Sequence, residues 1–278
     1  MECEVLIVGA GPTGLTLACD LLASGVGVRV VDKASGPSTT SRALGLMPRG
    51  IEVLDRAGAL GDLEQRANPI RRVVVDHGGR QAAHLRLGQT TKLVTRPGLL
   101  ISQAEIEGSL RRRLGELGGA VEWSREVLHA SQDADGVRVQ LTDGRTARCH
   151  WMGAQWTSTF RIHRRLAHRF RQGRMLLAGD AAHIHSPFGG QGMNTGIGDA
   201  ENLAWKLALV VYDHADPALL DSYEAERRPI ATEVLQSTSA LTAMALGDTR
   251  LARTLRDHVF VPSLNLSIVQ RLVWESAS

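Results

Sequence analysis

Cysteine is scarce in this 278-residue sequence, and the three cysteines are scattered. Cys3, Cys19 and Cys149 are odd in number and lack the close spacing of zinc ligands, so neither a disulfide framework nor a zinc site is predicted. His183 and His185 lie in a predicted loop without a supporting carboxylate pattern, and we expect no metal there. This cysteine usage is typical of a reducing cytoplasm.

Long apolar runs are missing as well. No uninterrupted stretch has the length needed to span a bilayer, and Glu2 and Glu4 occupy the place where a signal peptide would be basic. We therefore expect a cytoplasmic protein with no membrane partner. Lysine occurs only at positions 33, 92 and 206, and the net charge is a modest +3.

The densest basic segment runs from Arg161 to Arg174. Its apolar residues Ile162, Leu166 and Phe170 recur at helical spacing, so the segment is predicted to be a helix with a solvated basic face. We expect no nucleic-acid partner. Nothing in the sequence indicates the oligomeric state.

With 43% hydrophobic and 22% charged residues, the composition is ordinary for a globular protein of one or two domains. Hydrophobic periodicity and turn residues divide the chain into strands and helices. Hairpin turns are predicted at His77-Gly-Gly79, Asp135-Gly136 and Asp143-Gly144. The predicted strands are 4–8, 25–31, 72–76, 81–87, 99–102, 121–127, 136–141, 145–151 and 175–178. The predicted helices are 15–23, 48–59, 103–117, 192–212, 217–240, 248–258 and 264–275.

The N-terminus contains a dinucleotide-binding pattern. The strand at 4–8 is followed by Gly9-Ala-Gly11-Pro-Thr-Gly14, a helix and a second strand that ends at Asp32. Gly9 permits the tight turn, Gly11 lets the backbone approach a pyrophosphate, and Gly14 lets the helix pack closely. Asp32 would accept a hydrogen bond from a ribose hydroxyl. The pattern is specific because a strand precedes it, a helix follows it and an acidic residue lies about 20 residues further along the chain.

A second glycine-rich segment follows the strand at 175–178. It contains Gly179-Asp180, Pro187 and glycines 189, 190 and 192, and after Asn194 the pattern becomes helical. Such an arrangement brings backbone N–H groups close to an anionic or electron-rich group. The alternative is an ordinary strand–loop–helix connection whose glycines only make the turns easier, although such a connection rarely needs so many small residues. The apolar stripe of the helix is formed by Ile197, Ala200, Ala204, Leu207 and Ala208.

Together these segments resemble the FAD-dependent aromatic hydroxylases, the class A flavoprotein monooxygenases of the para-hydroxybenzoate hydroxylase type, and among them the polyketide and rifampicin monooxygenases. The resemblance covers most of residues 1–240. The matching positions are Gly9-x-Gly11-x-x-Gly14, Asp32, Ser41-Arg42-Ala43, Gln103 with Glu107, Gly179-Asp180, Pro187-x-Gly-Gly-Gln-Gly-Met-Asn194 and Tyr223-Glu-Ala-Glu-Arg-Arg-Pro229.

The resemblance implies an α/β fold: a Rossmann-like FAD-binding domain with a parallel central sheet, an antiparallel β-layer and a helical C-terminal part. It implies FAD as resident cofactor and NAD(P)H as transient co-substrate. The cofactor-binding residues that it implies are Gly9, Gly11, Pro12, Thr13, Gly14, Asp32, Lys33, Arg42, Gln103, Val127, Gly179, Asp180, Pro187, Gly190, Gly192, Met193 and Asn194.

The implied reaction is hydroxylation of a small phenolic or polyketide-like aromatic by O2 through a flavin C4a-hydroperoxide. Most of this chemistry belongs to the cofactor. Arg42 is the candidate for a catalytic role beyond cofactor binding, because the matching arginine lies near the flavin and the nicotinamide. A plain phosphate clamp is the alternative role for Arg42.

The sequence departs from the family after Gly153-Ala154. Relatives continue there with a second fingerprint and a large substrate-side sheet, whereas here Gln155-Trp156-Thr157 resembles the far side of that sheet. We therefore expect a deletion junction at 154–155, an FAD-binding domain over 1–240 with 71–100 as a residual substrate-side hairpin, and a C-terminal helical segment over 241–278. An engineered shortening and a disordered stretch left out with the remainder renumbered are the alternatives to a genuine deletion. An FAD-binding remnant that cannot hydroxylate and another flavin oxidoreductase of the same fold remain open alternatives.

Overall fold

The computed structural model describes residues 3–38, 44–77, 80–86, 88, 91–92, 94–154, 165–184, 191–246, 254 and 259–277. Its strands are β1 (Cys3–Val8), β2 (Val28–Val31), β3 (Gly45–Leu46), β4 (Asn68–Pro69), β5 (Arg72–His77), β6 (Arg80–Arg86), β7 (Leu99–Leu100), β8 (Val121–Glu122), β9 (Val127–Gln132), β10 (Val137–Leu141), β11 (Thr146–Ala154), β12 (Arg165–Leu166), β13 (Arg171–Gln172), β14 (Met175–Leu177) and β15 (His183–Ile184). Its α-helices are α1 (Pro12–Ala23), α2 (Pro48–Arg56), α3 (Leu63–Arg66), α4 (Gln103–Glu116), α5 (Gln191–Val211), α6 (Asp221–Leu246), α7 (Val261–Ser263) and α8 (Ser267–Ala277), and 3-10 turns span Gly179–Ala181 and Pro217–Leu220.

A parallel sheet in the order β8–β2–β1–β11–β14 forms the centre of the molecule. β1 lies between β2 on one side and β11 on the other, so the strand order reverses beside it. In open α/β sheets, ligands bind outside the carboxyl ends of the strands at such a reversal. The loop after Val8 occupies that position.

An antiparallel layer is continuous with this sheet. The first half of β11 pairs with β10, and β10 pairs with β9, whereas the second half of β11 pairs in parallel with β14. β13 adds an antiparallel edge to β14. The structure thus confirms the α/β fold with a parallel central sheet, an antiparallel layer and a helical C-terminal part.

The core lies on both faces of the sheet because side chains alternate along a strand. Val5 and Ile7 of β1 pack with α1, α2, α4 and α5 on one face, and Leu6 packs with Val137 and Val139 on the other. On α5 the apolar stripe predicted from the sequence is confirmed, since all five of its residues are buried. Among the described residues, no helix has both the length and the apolarity that a membrane crossing requires.

Two predictions of local structure were wrong. Residues 165–166 and 171–172 of the predicted basic helix are short strands, paired with β15 and β14, and 161–164 lie outside the described residues. Phe170 is fully buried, and its N–H donates to Glu224 Oε2 at 2.8 Å. The predicted strand 121–127 is divided between β8 and β9, because the N–H groups of Ser124 and Arg125 turn to the carbonyls of Ala34 and Asp32.

Other boundaries shift by a few residues. The predicted strand 99–102 ends at Leu100, because Ser102 caps α4 and its Oγ accepts from the Glu105 N–H at 3.3 Å. The predicted hairpin is confirmed, with Arg72 paired to Arg86, although its turn residues 78–79 are not described. The last predicted helix begins at Ser267, and the helix predicted at 248–258 falls almost entirely outside the described residues.

Candidate nucleotide-cofactor site

The glycine loop joins β1 to the start of α1. Gly9 has a φ of 110°, which only glycine adopts readily, and its N–H donates to the carbonyl of Val31 at 2.8 Å. Gly11 is the N-cap of α1, with extended backbone and no side chain to cap the helix, and Pro12 is the first helical residue. The N-terminal end of a 12-residue helix therefore carries partial positive charge beside a loop whose only side chain is the buried methyl group of Ala10, which suits a phosphate.

Asp32 closes this loop from the end of β2. Its side chain is 6% exposed, its Oδ2 accepts from the Ala10 N–H at 2.7 Å, and its Oδ1 accepts from the Ala34 N–H at 2.8 Å. A carboxylate oxygen has two lone pairs, so each oxygen can still accept from a hydroxyl. The carboxylate that is predicted to bind a ribose thus also holds the glycine loop in place.

A row of polar side chains on α4 adjoins this carboxylate. Gln103 Nε2 donates to Glu107 Oε1 at 2.7 Å, and Arg111 Nη1 lies 3.6 Å from Glu107 Oε2. Burial raises the pKa of Glu107, the donors Gln103 and Arg111 oppose that shift, and the charge of Asp32 adds to it. Gln103 is therefore held by Glu107, a buried acid that the sequence interpretation did not count as a site residue.

Two other predicted residues lie along the same edge. The Arg125 N–H donates to the Asp32 carbonyl at 2.8 Å, and two residues later half-buried Val127 begins β9. Lys33 follows Asp32 directly and is exposed. The structure thus brings the predicted residues Asp32, Lys33 and Val127 to the carboxyl end of β2, and Gln103 is linked to them through Glu107, whose pKa responds to the charge of Asp32.

The second motif meets the first at Thr13. A Cβ placed on Gly179 would lie 2.6 Å from Thr13 Oγ1, and one placed on Gly196 would lie 2.3 Å from it. The Thr13 side chain therefore sits between the 179–181 turn and α5. A side chain at position 179 or 196 would overlap with it, so both positions need glycine. Gly179 has a φ of 56°, so a side chain there would also strain the backbone.

Asp199 organises this region from the buried face of α5, and sequence reasoning missed its role. Asp199 is fully buried; its Oδ2 lies 2.6 Å from His183 Nε2 and accepts from the Gly179 N–H at 3.1 Å. Its Oδ1 accepts from Arg227 Nε at 2.7 Å, and Arg227 Nη2 also donates to the carbonyl of Thr195 at 3.2 Å. The available signal was a charged residue next to Ala200 of the apolar stripe.

Burial by itself would raise the pKa of Asp199. The hydrogen bond and charge of His183, together with the Arg227 guanidinium, hold that pKa below its usual value. Asp199 is therefore ionised at neutral pH and binds three elements together: the 179–181 turn, β15 and α6. His183 thus has a structural role, since it helps to hold the Asp199 carboxylate in place.

Asn194 connects the first turn of α5 to a third segment. Its Oδ1 accepts from the Met47 N–H at 2.8 Å, and its Nδ2 donates to the carbonyl of Gly45 at 3.1 Å. The side-chain amide thus pairs with backbone much as a neighbouring strand would. It fixes the segment that follows the Ser41-Arg42-Ala43 motif against the glycine-rich start of α5.

The remaining predicted residues divide into two groups. Gly192 and Met193 are half-buried in the first turn of α5, and Asp180 is exposed in the 179–181 turn. Arg42, Pro187 and Gly190 lie outside the described residues, so their predicted roles stay predictions. The described predicted residues come together at one end of the sheet, near the carboxyl ends of β1, β2 and β14.

The family model described as "FAD binding domain" matches residues 2–155 and 151–238. The 6-methylpretetramide 4-monooxygenase of Streptomyces rimosus is 32% identical over 344 residues, covering 87% of this chain and 62% of that enzyme. The rifampicin monooxygenase of Rhodococcus hoagii is 30% identical over 342 residues, covering 85% of this chain and 70% of that enzyme. The solved structure of an anhydrotetracycline hydroxylase from Streptomyces rimosus has a TM-score of 0.81 and 27% identity, covering 100% of this chain and 76% of that one.

These alignments are longer than the part of the chain that they contain. The alignment with the 6-methylpretetramide 4-monooxygenase extends over 344 positions, whereas 87% of 278 residues is about 242. About 100 aligned positions of that enzyme therefore have no counterpart in this chain. The family match likewise comes in two pieces that meet at residues 151–155.

Proposed function

Because the chain belongs to the FAD binding domain family, whose relatives here are aromatic and polyketide monooxygenases, we propose that it hydroxylates an aromatic compound with FAD, NAD(P)H and O2. The substrate would be phenolic or polyketide-like, as the names of the relatives suggest. The chain spans 62% of the first of these relatives, so the activity of the whole enzyme is part of the proposal. The observation that carries it is the convergence of the glycine loop, Asp32 and the start of α5 at one sheet edge.

The residues present suit FAD. The bare loop at Gly9–Gly11 and the N-terminus of α1 would hold the pyrophosphate, with Pro12, Thr13 and Gly14 in the first turn of that helix. Asp32 would accept from the ribose, and the Val127 backbone would meet the adenine. The supporting contacts would come from Lys33, Arg42, Gln103, Gly179, Asp180, Pro187 and Gly190.

The ring end of the cofactor would lie at the start of α5, near Gly192, Met193 and Asn194. FAD supplies the redox chemistry, taking electrons from NAD(P)H and activating O2 for transfer to the aromatic ring. The first turn of α5 would place about half a positive charge beside the ring and so favour negative charge on it. Arg42 would act as a phosphate clamp or near the nicotinamide.

Gly11→Ala tests the cofactor site. Gly11 has a φ of −80° and a ψ of −177°, which alanine adopts without strain, so the variant is expected to fold and to lose FAD because its methyl group blocks the pyrophosphate. The matched control is Gly115→Ala, where a Cβ meets nothing within 4 Å. Asp32→Ala should lose FAD too, although it also removes two hydrogen bonds of the loop. Stoichiometric flavin in folded Gly11→Ala would overturn the assignment.

A second candidate function is an FAD-binding remnant that cannot hydroxylate. The roughly 100 aligned positions without a counterpart, and the junction at 151–155, favour it. On this view 1–240 is an FAD-binding domain, with 71–100 as the residual substrate-side hairpin and 241–278 as a C-terminal helical segment. The protein would then bind FAD without supplying a closed substrate cavity.

Oxygen consumption separates the two candidates. NAD(P)H-driven O2 uptake by the FAD-loaded protein, with hydroxylated product formed from a panel of phenols, is expected of the monooxygenase. A flavoprotein whose O2 uptake gives only hydrogen peroxide with every phenol would favour the remnant. The coding DNA and intact mass, compared with 30.0 kDa, would show whether the junction is real.

A further inference from the structure

Strand β5 forms one edge of a sheet that contains only two strands among the described residues. It pairs antiparallel with β6, and no other described strand pairs with it. An edge strand presents a row of backbone N–H and C=O groups that can pair with another strand. The residues that direct these groups outward therefore decide what the edge can bind.

The contacts of β6 identify those residues. The His84 N–H donates to Asn265 Oδ1 at 3.1 Å, and the His84 carbonyl accepts from Gln270 Nε2 at 2.7 Å. The Arg86 N–H donates to Gln270 Oε1 at 3.4 Å. The backbone groups of His84 and Arg86 thus point away from β5, towards the C-terminal segment.

The outward groups of β5 follow from this pattern. In an antiparallel pair, two residues that lie opposite each other either exchange backbone hydrogen bonds or both point outward. Val74 lies opposite His84, and Arg72 lies opposite Arg86. The N–H and C=O groups of Arg72 and Val74 are therefore on the free edge. The alternation of an extended strand puts those of Asp76 there too, because the residue that the ladder skips belongs to β6.

The edge lacks the features that usually prevent pairing between sheets. Natural edge strands are protected by proline, by lysine or by a bulge of their own. β5 has the sequence Arg-Val-Val-Val-Asp-His, and valine is among the residues that favour strands most. Val73 is 42% exposed and Val74 is 38% exposed. A two-stranded hairpin is only marginally stable in water, so a further strand would stabilise it.

The sequence of β5 is complementary to itself. When two copies pair antiparallel about Val74, each Arg72 comes opposite Asp76 of the other copy, and Val73 comes opposite Val75. Opposite charges in this position stabilise a sheet, whereas like charges destabilise it. The same register makes all the outward backbone groups meet, with about six hydrogen bonds between the copies. Pairing about Val73 instead would place Arg72 opposite a valine.

We propose that β5 is a docking surface for a second copy of this chain, and that the two strands pair antiparallel about Val74. The two hairpins then form one four-stranded sheet, and the symmetric contact closes without leading to a filament. A single pair of strands is a small interface, so the dimer dissociates on dilution. The inference goes beyond the proposed function, because no residue of the candidate cofactor site takes part in the contact.

Sedimentation velocity from about 1 µM to about 200 µM protein tests the proposal, because dimerisation depends on concentration. The mass should rise from 30.0 kDa towards twice that value. Arg72→Asp and Asp76→Arg should each weaken the dimer about tenfold, because both symmetry-related pairs then carry like charges. The double variant should restore it. Arg72 already lies opposite Arg86 within the hairpin, so Arg72→Asp should not unfold the hairpin.

Val74→Pro tests the backbone contact. Proline removes an N–H that the β5–β6 ladder does not use, and edge strands tolerate it, so the variant should fold and remain a monomer. The matched control is Arg138→Asp, whose side chain is 57% exposed on β10, a strand paired on both sides. It should leave dimerisation unchanged. Circular dichroism checks that each variant is folded.

A mass of 30.0 kDa at every concentration would overturn the proposal. A dimer that persists in both Arg72→Asp and Val74→Pro would also overturn it, since the contact would then lie elsewhere. Failure of the double variant to restore a dimer that both single charge changes weaken would exclude the register about Val74.

Discussion

The buried Asp199 carboxylate contacts Gly179, His183 and Arg227 at the candidate site, and Asp199→Asn tests its contribution to the free energy of unfolding. The substitution keeps the shape of the side chain and removes the charge, so Arg227, whose side chain is 14% exposed, loses its ionic partner. Breaking one side of a buried ion pair costs about 3–5 kcal/mol. Because Arg227 keeps its hydrogen bond to Thr195, we expect the lower end, about 3 kcal/mol.

Urea unfolding followed by tryptophan fluorescence and circular dichroism measures this loss. With a slope of about 3 kcal/mol per molar urea, the midpoint should fall by about 1 M. The matched control is Asp62→Asn: its side chain is 50% exposed, its ion pairs to Arg66 and Arg112 are 3.6 and 3.5 Å long, and it should cost less than about 1 kcal/mol. A loss for Asp199→Asn as small as that of the control would refute the reasoning.

The pH dependence gives a second check on the same residue. The pKa of Asp199 is lower in the folded protein, so its stabilisation is present above the unfolded pKa of about 4 and is lost as the pH falls through the folded value. The stabilities of wild type and Asp199→Asn should therefore converge in acid and differ fully at neutral pH. A difference that does not depend on pH would show that charge is not its source.

Three further predictions concern single side chains. Asn194→Ala should cost about 1–3 kcal/mol of unfolding free energy and weaken FAD binding, because two backbone hydrogen bonds to the 45–47 segment are lost. Asn194→Asp should not restore either property, because a carboxylate oxygen would then face the Gly45 carbonyl. Urea unfolding and FAD content are the two measurements, and wild-type values in Asn194→Ala would contradict the assignment. Burial raises the pKa of Asp20 to about 7, so the free energy of unfolding of the wild type should fall as the pH rises from about 4 to about 7. Asp20→Asn should flatten this pH dependence, measured by urea unfolding at several pH values. An unchanged pH dependence would exclude Asp20 as its source. Tyr223→Phe should lower the unfolding free energy by about 1–2 kcal/mol, because a buried hydroxyl that donates to a backbone carbonyl is lost, whereas Tyr212→Phe, on an exposed ring, should leave it unchanged.

Local patterns in the sequence were enough to predict the parts of the fold that depend on local interactions. Gly9, Gly11 and Asp32 stand in a strand–loop–helix–strand context, and the structure has that order with the same boundaries to within a few residues. The apolar stripe of α5 is buried as predicted, because apolar residues that recur every 3.6 positions lie on one face of a helix, and that face packs against the core.

Interactions between distant segments decided the rest. The helical spacing of Leu166 and Phe170 was overridden because strand pairing with β14 and β15, and the contact with Glu224, come from elsewhere in the chain. The side-chain partners of Asp199 lie 16 residues before it and 28 residues after it, and no local pattern links them. Sequence periodicity reports which face of an element is buried and is silent on the side chains it meets there.

FAD content tests the central claim most directly. The purified protein is denatured, and the released FAD is measured against the chain concentration. The account predicts about one FAD per chain, because the glycine loop, Asp32 and the start of α5 are proposed to form the cofactor site. Release of almost no FAD from protein that is folded and was supplied with excess FAD would contradict it.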